Sequence, residues 1–180
     1  MRRITGLALL LCSFALVTPG CANLGWFKRA EGPCAVASGP PIGKPAPEID
    51  GVDFEGRQFK LSAYRGNVVV VSFWRSGCVP CRQMIPHERS LVERFRDKKF
   101  ALLGVNLDDS REAALKVMAS DGIIWRNSQA SPENLQPWKI TALPTICVID
   151  AKGIVRHTFV GAACLDTVIE VLLAEVETKR

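Results

Sequence analysis

The sequence predicts an α/β sandwich with a mixed sheet, and three observations carry this prediction. Residues 68–74 form a nearly continuous apolar run that only Ser72 interrupts, which is typical of a strand buried on both faces of a parallel sheet. Helical and extended patterns then alternate as far as residue 126. The chain ends with a hairpin pattern and an amphipathic helix. Strands that alternate with helices before a final hairpin and helix favour this fold class.

The elements on either side of the central strand follow from local patterns. Residues 53–61 alternate around Glu55-Gly56 and predict a short hairpin before the strand. Residues 79–97 predict a helix after the strand, with an expected kink at Pro86. The apolar stripe of this helix contains Met84, Ile85, Leu91, Val92 and Phe95.

The second strand and second helix are defined by apolar content and by end residues. Residues 100–107 are mostly apolar and predict a strand. Ser110 is a typical N-cap, and Asp121-Gly122 is a typical helix end. A helix is therefore expected from Ser110 through Ser120.

The last part of the domain is predicted from shorter patterns. Residues 123–126 predict a short strand and residues 132–139 a short helix. Residues 145–149 and 154–160 are two apolar runs joined by the turn Asp150-Ala151-Lys152-Gly153, which predicts a hairpin. Residues 165–177 predict the closing helix.

A pair of cysteines, Cys78-Val79-Pro80-Cys81, directly follows the central strand. Two cysteines with this spacing on the first turn of a helix can close and reopen a small disulfide. The free N–H groups and the dipole at the helix N-terminus favour a thiolate at Cys78. Zinc knuckles use the same spacing, but a strand, a turn, this motif and an amphipathic helix in succession favour a thiol–disulfide site.

The N-terminus predicts export. Residues 1–20 contain Arg2-Arg3, an apolar stretch and a break at Thr18-Pro19-Gly20, and the apolar stretch is shorter than the ~20 residues that a membrane span needs. The Gly20-Cys21 junction resembles a bacterial lipoprotein processing site, so Cys21 is the predicted lipid attachment residue. Ordinary cleavage nearby and a retained N-terminal anchor remain the alternatives.

Residues 21–43 predict a flexible tether, because glycine and proline recur without a sustained apolar period. The predicted domain covers residues 44–178. Loss of the two N-terminal arginines would lower the net charge from +5 to +3. This positive charge is too small to indicate a nucleic-acid partner. We therefore expect an extracytoplasmic domain held at the membrane by a lipid anchor, in a compartment where disulfides persist.

Several motifs resemble the thioredoxin fold. They are Phe73-Trp74 before the cysteine pair, Arg82 after it, Pro86 in the helix, and Leu143-Pro144-Thr145 before a strand. The resemblance is more specific to the TlpA-like branch of the redoxins. It rests on residues 43–47, the first hairpin and the extra segment between residues 108 and 140. This resemblance implies a thioredoxin-like sandwich with a central mixed sheet, an N-terminal hairpin and an inserted α/β segment.

The resemblance also implies a function and its residues. It implies a disulfide reductase without a cofactor, often one that keeps partner cysteines reduced for metal or haem insertion, as in cytochrome c maturation. Cys78 would attack the partner disulfide and Cys81 would resolve the mixed disulfide. Pro144, with a cis peptide bond, would line the substrate groove with Leu143, Trp74 and Gly77. Its implied partners are exported proteins that contain cysteines and a membrane electron donor.

Three departures from relatives concern this site. Gly77 stands where relatives have tryptophan before the first cysteine, and Ser72 stands where thioredoxin has a buried acid. Relatives often place glutamate where this chain has Met84, whereas Glu88 lies one turn further along. We expect Glu88 to be solvated at the edge of the stripe or paired with Arg89 or Arg96. The alternative is that Glu88 replaces the missing acid.

The remaining cysteines and histidines predict no second site. Cys147 lies within a predicted strand and is expected to be a small core residue, while Cys34 and Cys164 have no evident partner. His87 is expected at the surface and His157 in a strand.

Two other functions remain possible from the sequence. A metal-binding chaperone or a redox-inactive adaptor on the same fold is the main alternative. A thiol peroxidase is disfavoured, because Arg75 stands where the peroxidatic loop needs threonine, three residues before the cysteine, and no proline lies near it upstream.

Overall fold

Strands and helices alternate through residues 39–162 and 164–178, the part of the chain that the computed structural model describes. The strands are β1 (Asp50–Val52), β2 (Gln58–Lys60), β3 (Val68–Trp74), β4 (Phe100–Asn106), β5 (Arg126–Gln129), β6 (Thr145–Ile149) and β7 (Val155–Val160). The helices are α1 (Val79–Arg94), α2 (Arg111–Asp121), α3 (Pro132–Leu135) and α4 (Leu165–Glu177). The predicted signal peptide, Cys21, Cys34 and the tether up to residue 38 lie outside the described residues.

Five strands form one mixed sheet in the order β5-β4-β3-β6-β7. The strands β3, β4 and β5 are parallel, whereas β6 pairs antiparallel with both β3 and β7. The strands β1 and β2 form a separate antiparallel hairpin. The predicted fold class is therefore confirmed, including the N-terminal hairpin and the extra segment of α2, β5 and α3.

The side chains of β3 divide the core between the two faces of the sheet, because neighbouring residues of a strand point to opposite sides. Val68, Val70 and Trp74 pack against α1, α2 and α4. Val71 and Phe73 pack with residues such as Phe59, Leu61 and Trp138 on the other face. Ser72 shares the first face, so its hydroxyl lies in the layer below α1 and Cys81.

The predicted caps of α2 are confirmed. The Ser110 side chain accepts a hydrogen bond from Ala113 N–H at 3.2 Å, and Gly122 ends the helix in the left-handed region with φ of 71°. Glycine adopts this conformation without the cost that a Cβ imposes. The first helix ends at Arg94, earlier than predicted, and contains Pro86.

The prediction for β5 is wrong by three residues at its start. The strand covers Arg126–Gln129 rather than residues 123–126. Ile123 N–H instead donates to Met118 O at 3.0 Å and completes the end of α2, and Trp125 is buried in the core. The strand is polar in sequence, and its pairing with Leu103–Asn106 of β4 determines where it begins.

The chain before β3 lies along both edges of the large sheet. Gly43 N–H donates to Val155 O at 2.8 Å, and Ala46 N–H donates to Gly153 O at 2.9 Å, beside β7. On the opposite edge, Asp53 forms a bridge with Ser128, and Phe54 N–H donates to Asn127 O at 3.0 Å, beside β5. Residues 39–43 of the predicted tether thus pack on the domain, and the other domain limits stay predictions.

None of the helices in the described residues combines the length and the apolar character that crossing a membrane requires.

Candidate active site

The paired cysteines lie where β3 ends and α1 begins. Cys78 and Cys81 form a disulfide, with their Cα atoms 5.3 Å apart. Cys78 is the N-cap of α1, and its Sγ accepts a hydrogen bond from Cys81 N–H at 3.2 Å. Cys78 is partly exposed, whereas Cys81 is 3% exposed. The pair therefore has one accessible sulfur and one buried sulfur.

The first charged residue of α1 is paired with a carboxylate. Val79 and Pro80 between the cysteines carry no charge, and Val79 is 64% exposed. Arg82, the first cation of the helix, makes two hydrogen bonds to Asp121, at 2.6 and 2.8 Å. The helix N-terminus is thus the main local feature that favours a Cys78 thiolate.

The predicted cis peptide bond is confirmed between Leu143 and Pro144. Because Phe73 pairs with Thr145, Pro144 lies next to Trp74 at the end of β3 that leads to the cysteines. Pro144 itself is buried, and Leu143 is partly buried against both core clusters. The structure therefore brings the predicted groove segment to the same end of the sheet as the disulfide.

The predicted groove residue Trp74 lies behind the disulfide loop, with 4% of its surface exposed. Its indole N–H donates to Asn127 Oδ1 at 2.9 Å, and Asn127 Nδ2 donates to Trp125 O at 2.8 Å. Asn127 lies across Gly104, where a Cβ atom would be 1.6 Å from Asn127 Oδ1. Sequence reasoning missed Asn127, although a glycine within strand β4 is a sign of a close approach.

The loop between β3 and α1 is held by the loop after β4. Ser76 N–H donates to Asp108 Oδ2 at 2.9 Å and to Oδ1 at 3.2 Å. Arg75 Nε donates to Leu107 O at 2.8 Å, and Leu107 N–H donates to Trp74 O at 2.9 Å. A Cβ atom at Gly77 would have no other atom within 4 Å. Sequence reasoning missed Asp108, because nothing in the sequence links it to a loop about 30 residues earlier.

Glu88 does not lie at the surface as expected. It is 4% exposed, and its carboxyl is hydrogen bonded to the Ser72 hydroxyl rather than to an arginine. Burial raises the pKa of Glu88 to about 7, and the bond from Ser72 offsets part of that rise. The carboxyl can exchange a proton near neutral pH, on the helix face that also carries Cys81.

Other predicted residues lie away from this centre. Cys147 is fully buried as expected, and burial raises the pKa of its thiol to about 12. Cys164 is itself disulfide-bonded. His87 Nε2 lies 2.8 Å from Asp166 Oδ2, and His157 stacks on Phe159 in β7. Among residues 39–162 and 164–178, no three or more His, Cys, Asp or Glu side chains are grouped as a metal site would require.

Comparison with known sequences places this chain in an established family. Residues 42–158 match the AhpC/TSA family. The thiol:disulfide interchange protein DsbE of Allochromatium vinosum is 31% identical over 126 residues, which cover 68% of each chain. The thiol-disulfide oxidoreductase ResA of Geobacillus kaustophilus is 28% identical over 125 residues, which cover 67% of this chain and 70% of the relative.

Solved structures give the same result for the fold. The thioredoxin domain of a thiol-disulfide oxidoreductase from Bacteroides vulgatus has a TM-score of 0.68 and 28% identity, over 73% of this chain and 98% of that one. A thiol:disulfide interchange protein from Chlorobium tepidum has a TM-score of 0.67 and 28% identity, over 74% of this chain and 98% of that one. The chain belongs to the AhpC/TSA family and is a thiol–disulfide oxidoreductase of thioredoxin fold with the redox pair Cys78 and Cys81.

Proposed function

We propose that this protein reduces disulfides of other proteins outside the cytoplasm, with Cys78 as the attacking and Cys81 as the resolving cysteine. The observation that carries the assignment is the difference in exposure, since Cys78 is partly exposed at the helix N-terminus and Cys81 is 3% exposed. A partner disulfide can approach Cys78, whereas Cys81 can reach only the Cys78 sulfur, once that sulfur is bound to the partner.

The reaction consists of two exchanges. The Cys78 thiolate attacks one sulfur of the partner disulfide, forms a mixed disulfide and releases the other partner sulfur as a thiolate. Cys81, after losing its proton, attacks the Cys78 sulfur, which closes the Cys78–Cys81 disulfide and releases the second partner sulfur. The partner gains two electrons and this protein loses two. A membrane thiol donor then returns two electrons to the pair.

The proposed substrate groove runs beside the disulfide. Leu143 and Pro144 form one side, and Gly77 leaves the other side open because it has no side chain. Trp74 supports the groove from behind. Exported proteins whose cysteines receive haem or metal are the substrate class that the resemblance to the TlpA-like branch suggests.

A trapping experiment tests these roles. The Cys81→Ala variant removes the resolving thiol, so it should accumulate a mixed disulfide between Cys78 and a partner, which mass spectrometry of the non-reduced adduct identifies. The adduct should persist when Cys147→Ala is added, because Cys147 is buried on the other face of the sheet. Adducts that form equally well in the Cys78→Ala variant would contradict the assignment.

The proposed location follows from the N-terminus. Residues 1–20 would direct export, and residues 21–43 would connect a lipid on Cys21 to the domain at residues 44–178. The Cys21→Ser variant should release an exported domain into the soluble fraction, which cell fractionation measures. Membrane association that is unchanged by this substitution would instead indicate a retained signal helix.

A further inference from the structure

The carboxylate of Asp108 is directed at the loop that presents Cys78. It accepts hydrogen bonds from Ser76 N–H at 2.9 and 3.2 Å and from Asn106 Nδ2 at 2.8 Å. Asp108 N–H in turn donates to Asn106 Oδ1 at 3.0 Å, and Asn106 is fully buried. The carboxylate is thus fixed from below by a buried side chain, and its three hydrogen bonds come from uncharged amide groups.

The loop depends on such bonds because its side chains do not anchor it in the core. Arg75 and Gly77 are exposed, and Gly77 has the wide conformational freedom of glycine. Cys78 N–H donates to Arg75 O at 3.1 Å, so Ser76 and Gly77 lie within one turn. The bond from Ser76 N–H to Asp108 fixes the middle of this turn to the loop after β4.

The same contact places a negative charge close to Cys78. Consecutive Cα atoms are about 3.8 Å apart, so the Cα of Cys78 lies within about 7.6 Å of the Cα of Ser76. The Asp108 carboxylate is partly buried, and salt screens a partly buried charge less than an exposed one. A carboxylate bound to the turn that carries Cys78 disfavours the Cys78 thiolate and so opposes the helix N-terminus.

We propose that Asp108 is a positioning residue of the redox centre, which holds the turn before Cys78 and makes the couple more reducing through its charge. This inference rests on the proposed function. The other charged or titratable groups around the site are Arg75, Asp109, Arg82 with Asp121, and Cys81 with Glu88 beneath the helix. Asp108 is the acid among them that bonds to the disulfide loop itself.

Two substitutions of Asp108 separate the effect of its charge from the effect of its hydrogen bonds. Asp108→Asn keeps an acceptor oxygen for Ser76 N–H but removes the charge, so the pKa of Cys78 should fall by about half a unit to one unit. The equilibrium with glutathione should shift about three- to tenfold toward the dithiol, which corresponds to about 15–30 mV. Asp108→Ala should show the same shift and also a several-fold slower reduction of a synthetic peptide with one disulfide, because the turn loses its anchor.

Asp109→Asn is the matched control, since Asp109 is the exposed neighbour and the net charge changes equally. Equal shifts in the Asp108→Asn and Asp109→Asn variants would overturn the inference, as would a wild-type rate in Asp108→Ala. Urea unfolding of each variant checks that the fold is kept. Failure of the proposed function is distinguishable, because the wild-type protein would then leave the peptide disulfide intact while its own pair still equilibrates with glutathione.

Discussion

At the scale of single residues, Glu88 is a buried group whose charge changes with pH near neutrality. Its pKa is raised by burial to about 7, above the ordinary value of 4.5. Between these two pH values the folded protein holds a proton that the unfolded chain releases. The free energy of unfolding should therefore fall as pH rises from about 4.5 to about 7, and Glu88 should cause no further change above that range.

The Glu88→Gln variant should lose this pH dependence. A neutral amide needs no proton to remain buried, so the variant should be more stable than the wild type at pH 8 by roughly 3 kcal/mol and about equal at pH 4.5. Urea unfolding at several pH values measures the difference. Glu93→Gln, at an exposed position of the same helix, is the control. Parallel pH profiles for the wild type and Glu88→Gln would contradict the prediction.

At the scale of elements, strands β3, β4 and β5 are joined by one side chain. Asn127 of β5 lies over Gly104 of β4 and reaches the indole of Trp74 in β3. A larger residue in place of Gly104 would meet the Asn127 amide, since its Cβ would lie 1.6 Å from Oδ1 and 2.4 Å from Cγ. The effects on stability of substitutions at Gly104 and at Asn127 should therefore not be additive.

A double-mutant cycle tests this dependence. Gly104→Ala should cost about 2–3 kcal/mol, because the Asn127 side chain must move, and Asn127→Ala should cost about 2 kcal/mol, because the Trp74 N–H loses its partner. The double variant should be more stable than the sum predicts by about 1 kcal/mol or more, since Asn127→Ala removes the atoms that the methyl group introduced by Gly104→Ala would meet. Chemical unfolding measures all four proteins.

Gly51→Ala is the matched control for this cycle. Gly51 also lies in a strand, but its Cβ would meet only Asn134 Nδ2, at 3.9 Å. This control should cost little and should be additive with Asn127→Ala. Additive costs for Gly104→Ala and Asn127→Ala would show that the two side chains do not compete for the same space.

The limits of sequence reasoning are also clearest at this scale. The caps Ser110 and Gly122 were predicted because capping depends on a few adjacent residues. The start of β5 cannot be predicted in this way, because β5 is a polar segment without an apolar pattern and is defined by its pairing with β4. The sequence does not indicate Asp108, because its hydrogen bond to Ser76 joins distant parts of the chain. For Glu88 the expected solvated position is wrong, and the alternative that it replaces the missing acid is the one compatible with its burial below Ser72.

At the scale of the whole molecule, the proposed direction of electron flow depends on the potential of the Cys78–Cys81 pair. Strong oxidants of this fold stabilise their attacking thiolate heavily, with a pKa of ~3.5 and a potential of about −120 mV. Here Val79 and Pro80 add no polar group to the helix N-terminus. The pKa of the attacking thiol should therefore lie nearer to ~7, and the potential of the pair nearer to about −270 mV, than to the values of those oxidants.

Equilibration of the protein with glutathione buffers measures that potential. A value above about −180 mV, which is typical of protein disulfide isomerase, would rule out the reductase and favour an isomerase or an oxidase. Thiol labelling of the reduced protein against pH gives the second measurement. Faster labelling of Cys81 than of Cys78 at neutral pH would reverse the assigned roles.

The chain before β3 also covers sheet edges that would otherwise be open to other molecules. Open sheet edges offer unpaired N–H and C=O groups, which can bind a strand of another molecule and start aggregation. Here the segment at Gly43 and Ala46 covers part of the β7 edge, and Asp53 and Phe54 cover part of the β5 edge. A shortened protein that begins after residue 54 would keep the cysteine pair but leave both edges open and lose the buried side chains of Ile49 and Phe54, so it should be both less stable and more prone to aggregate.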